Sequence, residues 1–271
     1  VSEGVMIRDC ASSEIIAATD RKWMECVRLY FRPRSPTQFN TEGFRPTDKY
    51  PRPGAECPVP VVMLFKALDI LTRADARFSN GNLAASPEIG DDAAFLTSIP
   101  FEKVYHDSAF PPDGRGSIIF HRQAEVIVPD EMDLATLRFV GCRTEAEYET
   151  LIHLLDINTR KRWSQIIGLR TTANLHHRRW TFVENVQLSK EQITFRFNPS
   201  STLPGPFAVE VEIKETATDL MYVLKKPDFV ANSELKVGLQ NLKFPENYTV
   251  ELKLNQQIAY ANKYEEEDIP F

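Results

Sequence analysis

The chain has 271 residues, 42% of them hydrophobic and 26% charged, an ordinary globular composition with length for one large or two modest domains. Its formal net charge is −6, and residues 1–150 carry all of it, with 17 basic groups against 23 acidic ones. That balance excludes broad coating of nucleic acid through overall charge, while leaving room for a local basic groove. There is no run of about 18 apolar residues, so no membrane span is expected. No signal peptide is read, and Cys10, Cys26, Cys57 and Cys142 lie far apart without CxxC spacing. They read as reduced thiols of a cytoplasmic protein, neither a disulfide frame nor a zinc site.

In chain order, the first part is irregular and rich in proline. Pro33, Pro36, Pro46, Pro51, Pro53, Pro58 and Pro60 forbid a long helix and imply a loop. Residues 59–75, VPVVMLFKALDILTRAD, read as a buried strand followed by a short helix. Asn80-Gly81-Asn82 is a turn signal, and a second helix is expected near 91–97. Residues 117–129 read as a strand pair or one long strand, and 137–142 as another strand. Residues 144–156 read as a helix opened by a Thr cap and early acids. Short strands and helices without a βαβ rhythm suggest an α+β class.

From about residue 180 the texture changes. Phe207, Val209, Val211 and Ile213 alternate with polar residues, as do Ile193, Phe195 and Phe197, and Val250, Leu252 and Leu254. Period-2 patterning with turns at Pro199, Pro204-Gly205 and Pro245 fits antiparallel strands in an all-β, immunoglobulin-like sandwich. The expected organisation is a first domain over 1–158, a basic connection over 159–180 and a sandwich over 181–271. The connection holds TRKRW and LHHRRW. Arg178, Arg179 and Trp163 could steer and stack a nucleic-acid strand, or simply join two domains.

The residues 120–130, FHRQAEVIVPD, pose the sharpest question. Alternation puts Gln123, Glu125 and Ile127 on one strand face and Ala124, Val126 and Val128 on the other. A glutamate before an apolar run is either a solvated edge-strand residue or a carboxylate held for chemistry. Arg122 is not expected to pair with it, because residues an odd number of steps apart along a strand point to opposite faces. No metal site is expected: the histidines lack ligand spacing, and the adjacent His176-His177 side chains diverge. Neither a GxGxxG nor a GxxxxGK loop is present, and no Ser-His-Asp or Cys-His signature stands out.

YFRPRSPTQF (30–39), VPVVMLFKALDIL, ARFSNGNLAA (76–85) and HRQAEVIVPD (121–130) follow one another in an order that resembles the DarT-type DNA ADP-ribosyltransferase toxins. The likeness covers about residues 1–145, and Arg-Gln-Ala-Glu with its apolar run is its most specific element. It implies an ADP-ribosyltransferase-like split β-sheet domain, with NAD as substrate and no metal. It assigns Glu125 as the catalytic glutamate and, upstream, Arg21 in preference to Arg28 as the catalytic arginine. Tyr30, Phe31, Arg28 and Gln123 fall at NAD-binding positions. The family's first strand and its NAD-holding histidine are absent from this sequence, and residues 1–8 resemble the end of the following helix. The implied function is mono-ADP-ribosylation of a nucleobase in single-stranded DNA, with RNA as an alternative acceptor, in a toxin countered by a macrodomain antitoxin. The alternative is a degenerate transferase serving as a nucleic-acid or protein binding module.

Overall fold

The computed structural model describes residues 21–49, 57–169, 173–232 and 234–266. The side chain of Arg21 and the expected helix end over 1–8 lie outside the described part. The chain forms two compact units: Val1–Thr41, Arg52–Glu56 and Met63–Phe139 make the first, and Glu42–Pro51, Cys57–Val62 and Val140–Phe271 the second. This division cuts across the linear order, whereas the sequence patterns point to consecutive domains.

The strands of the first part are β1 (Cys26–Tyr30), β2 (Val62–Phe65), β3 (Arg77–Ser79), β4 (Ile89–Gly90), β5 (Glu125–Pro129) and β6 (Leu137–Cys142). Four of them form an antiparallel sheet in the order β1-β5-β3-β4. Period-2 alternation sorts their side chains. Val126 and Val128 join Phe78, Ile70, Ile99 and Val104 in one core, with Val27 and Leu29 packed against it. Ile127 goes to the opposite face with Trp23 and Leu83. β5 is flanked on both sides, which is why its run Val126-Ile127-Val128 is fully buried. Glu125 is therefore on a central strand, and the edge-strand reading does not hold.

Several helices form where their caps dictate. Asp92 accepts the Phe95 N–H at 2.7 Å and starts Ala93–Ser98, and Ala67–Leu71 follows β2 as expected. Residues 117–121 do not form a strand. They belong to the helix Arg115–His121, whose end turns sharply through Gln123 N–H to Phe120 O (3.2 Å) and Ala124 N–H to His121 O (2.9 Å). β5 begins directly after that turn.

The second unit contains the helices Glu145–Leu154, capped by Thr144, and Ile157–Trp163, capped by Asp156. Its strands are β7 (Ile167–Leu169), β8 (Val183–Leu188), β9 (Gln192–Phe197), β10 (Phe207–Glu215), β11 (Met221–Phe229), β12 (Leu235–Gly238), β13 (Asn247–Leu254) and β14 (Gln257–Glu265). β7 runs parallel to β6, pairing Val140 with Ile167. The later strands make two antiparallel sheets, β11-β10-β13-β14 and β12-β9-β8. The alternating residues read from the sequence, among them Ile193, Phe195, Val209, Val211, Val250 and Leu252, bury in one core shared by both sheets. Phe44 and Ala146 belong to the same core, and Phe44 exchanges backbone hydrogen bonds with Thr181. Phe44, from the proline-rich segment, and the helix Glu145–Leu154 are thus built into this unit. Among the described residues, no helix is long and apolar enough to cross a membrane.

Candidate active site

β1 and β5 run antiparallel with Tyr30 opposite Glu125 and Arg28 opposite Ile127. Directly opposed residues share a face, so Arg28, Tyr30 and Glu125 emerge together on the side away from the larger core. Glu125 is 4% exposed, and among the described residues one cation pairs with its carboxylate, with Arg28 Nε 3.8 Å from Oε2. That separation is too long for a hydrogen bond. Burial pushes the Glu125 carboxyl up to about 7, with the Arg28 charge pulling the other way. A carboxylate so placed changes protonation near neutrality, which suits a group that takes up a proton and faces positive charge.

The backbone beneath Glu125 is held by Ser79. The Ser79 hydroxyl accepts the Glu125 N–H at 3.0 Å and donates to the Gly81 carbonyl at 2.9 Å. Tyr30 Oη donates to Thr37 Oγ1 at 3.3 Å, and Thr37 Oγ1 donates to Gln123 Oε1 at 3.0 Å. Tyr30 as a residue is 40% exposed, while burial pushes its phenol up to about 12. The structure thus brings together Glu125, Arg28, Tyr30 and Gln123. Phe31 lies on the other face, packed edge-on against Phe101 at 5.3 Å. Arg21 opens the short helix Arg21–Met24 just before β1. Sequence reasoning missed Ser79 and Thr37; both sit inside motifs it quoted, but a hydroxyl carries no signal of its partner.

After Tyr30 the chain turns through Arg32, Pro33 and Arg34, with Arg34 in the left-handed region at φ 56°. Arg32 is buried and donates to the Val104 and His106 carbonyls, and both Arg32 and Arg34 pair with Asp107. Although partial desolvation acts to raise it, the hydrogen bond from Arg32 and the charge of Arg34 hold the Asp107 carboxyl below its ordinary value. Arg122 donates to the Arg34 carbonyl at 3.0 Å. Arg32 and Arg34 are therefore braces of this turn, as their place beside Pro33 and Pro36 suggests.

The residues expected at a nucleic-acid surface belong to the second unit. Arg178 is tied into that unit by Glu184 (2.7 Å) and by the Arg143 carbonyl (2.8 Å). Arg179 lies over the Trp180 ring at 5.3 Å, and Arg162 over Trp163 at 4.8 Å. The same unit buries Arg143 between Glu42 (3.2 Å) and Glu147. Burial holds the Glu147 carboxyl above its usual range despite Arg143. His176, also buried, is pushed down to about 4 by desolvation. Among the described residues, no group of three or more His, Cys, Asp or Glu side chains could hold a metal.

A central strand opens on the buried Glu125, whose carboxyl burial pushes up to about 7. The family described as "ssDNA thymidine ADP-ribosyltransferase, DarT" matches residues 3–173, and the chain belongs to that family. Its fold is similar to that of Thermus sp. 2.9 DarT in complex with ADP-ribosylated ssDNA, at 14% identity and a TM-score of 0.47, covering 62% of this chain and 82% of that one. The NAD+ complex of the same protein gives 14% identity and 0.44 over the same shares. The carba-NAD+ complex gives 15% identity and 0.41, covering 55% and 72%. No match was found among curated proteins.

Proposed function

We propose that this chain transfers ADP-ribose from NAD to thymidine in single-stranded DNA. The observation that carries the proposal is Glu125: it opens a central strand, is buried, and titrates near neutrality within the span that matches the family. In the reaction the bond from ribose C1 to nicotinamide breaks, and positive charge spreads over C1 and the ring oxygen, as in glycoside cleavage. An ionised Glu125 stabilises that charge more in the transition state than in the ground state. Thymine in a nucleoside has a single N–H. Its nitrogen forms the new bond to C1, and Glu125 takes the displaced proton. Nicotinamide leaves with the bonding pair.

Arg28, Gln123 and Tyr30 are proposed to hold NAD beside Glu125, with Tyr30 offering its ring and Arg28 its charge. Arg21, one turn of helix before β1, is proposed as the second catalytic group. Single strands suit such a site because a base within a duplex must first be extruded. Arg179 and Trp163 are proposed to support strand capture, and the C-terminal sheets to form an immunoglobulin-like sandwich that stabilises the enzyme. A toxin role opposed by a macrodomain hydrolase completes the proposal. The test is incubation with labelled NAD and separate pools of single-stranded DNA, RNA and protein. Label in the DNA pool supports the reading; label in RNA or protein alone names a different acceptor. No transfer to any pool makes the chain a binding module.

A further inference from the structure

We propose that Ser79 is a positioning residue of the transfer reaction, acting through the backbone of Glu125. The inference deepens the transferase reading and rests on it. The pairing of β3 with β5 runs Arg77 with Ile127 and Phe78 with Val126, and it stops there. One step further, where the next backbone bond would fall, the Ser79 hydroxyl takes the Glu125 N–H instead, at 3.0 Å. The substitution is forced by the turn that follows. Asn80 N–H goes to the Glu88 carbonyl (3.2 Å), and the Asn80 carbonyl meets His121 Nδ1 at 2.5 Å. The backbone has therefore left β5 before Glu125 is reached, and only a side chain can bridge the gap.

Ser79 is fully buried, with 0% exposure, and its hydroxyl has the Gly81 carbonyl as acceptor at 2.9 Å and the Glu125 carbonyl at 3.5 Å. Gly81 in turn lies against the Phe120 ring so closely that an added Cβ would meet it at 2.2 Å, so this turn takes glycine and no larger residue. The hydroxyl thus ties the Glu125 backbone to the Gly81 turn, and with it the point from which the Glu125 side chain departs. Without Ser79 the Glu125 N–H is left buried and unpaired, which favours a local shift of the strand end. A displacement of about 1 Å at a reacting group can cost on the order of a hundredfold in rate.

The test compares Ser79→Ala and Ser79→Thr with the full chain, using a thymidine oligonucleotide and NAD, together with amide hydrogen exchange across residues 123–127. Ser79→Ala is expected to lose about tenfold or more in kcat with KM for NAD unchanged, and to exchange faster over 123–127 alone. Ser79→Thr restores the hydroxyl and is expected to recover kcat and protection. If the Ala variant melts below the assay temperature, Ser79→Cys, a near-isostere with a weak acceptor, replaces it under the same criteria. A folded variant that keeps wild-type kcat, or one whose exchange over 123–127 is unaltered, overturns the assignment. An inactive wild type counts against the transferase reading, and the exchange result then decides the clamp by itself.

Discussion

Arg28 and Glu125 are diagonal neighbours on one face of adjacent strands, with Nε 3.8 Å from Oε2, and no hydrogen bond joins them. A fully formed pair would hold the carboxyl ionised well into the acid range. This loose one leaves burial in command, so Glu125 titrates at about 7. The same arrangement leaves the carboxylate oxygens without a hydrogen bond from Arg28.

A carboxylate raised in this way works against the fold. Its folded-state value of about 7 lies above the ordinary 4.5, so stability is intact below about 4.5 and is lost as pH rises through 7. Glu125→Gln should remove that cost, which is at most about 3 kcal/mol above pH 7 for a shift of this size. Thermal melting at pH 8 and at pH 4.5 checks it. The variant should melt higher than wild type at pH 8 and show little difference at pH 4.5. A lower melting temperature at both values would mark Glu125 as a structural residue.

Removing the nearby cation should move the titration further. Arg28→Met takes away a charge that lowers Glu125, so the acid limb of the kcat/KM profile should shift to higher pH. Wild type should show that limb near 7. An unchanged limb in the variant would mean that Arg28 does not act on Glu125.

In the second unit, Arg143 stands between two carboxylates, Glu42 and Glu147, all three almost fully buried. Arg143→Ala leaves both acids without their cation, and such a loss typically costs about 3–5 kcal/mol. Urea unfolding should show it as a lower midpoint with an unchanged slope. A midpoint within error of wild type would show that the pair is not stabilising.

Much of this was legible in the sequence, for reasons of periodicity. Strict alternation in residues 207–213 and 249–254 can mean little except strands with one wet face, and β10 and β13 follow it. The run Ser117-Ile118-Ile119-Phe120 carries no such signal. A short apolar stretch fits a strand as well as a helix, and here the helix Arg115–His121 forms. Glu125 was visible as an oddity, but its neighbours Arg28 and Ser79 come from distant strands, and only the pairing of β1 and β3 with β5 reveals them. The division into units was hidden for the same reason. Phe44 looks like part of a proline-rich loop, yet it packs in the core of the C-terminal sheets.

The two adjacent arginines at 178 and 179 should separate in their effects. Arg178 is engaged by Glu184 and by the Arg143 carbonyl, so Arg178→Ala should lower the melting temperature. Arg179→Ala should instead weaken binding of single-stranded DNA and reduce the salt slope by about one unit if it contacts a phosphate. Fluorescence anisotropy across a salt series distinguishes the two. An Arg179 variant with unchanged affinity and slope would leave that surface without a role in binding.

The central claim is that Glu125 drives transfer of ADP-ribose to thymidine. The most direct measurement is intact-mass analysis of two single-stranded oligonucleotides, one with a single thymidine and one with none, after incubation with NAD and either wild type or Glu125→Gln. On this claim, one ADP-ribosyl group is added to the thymidine oligonucleotide with wild type, none to the other strand, and none with the variant although it folds and melts higher at pH 8. Modification of the strand lacking thymidine, or undiminished transfer by Glu125→Gln, would contradict it.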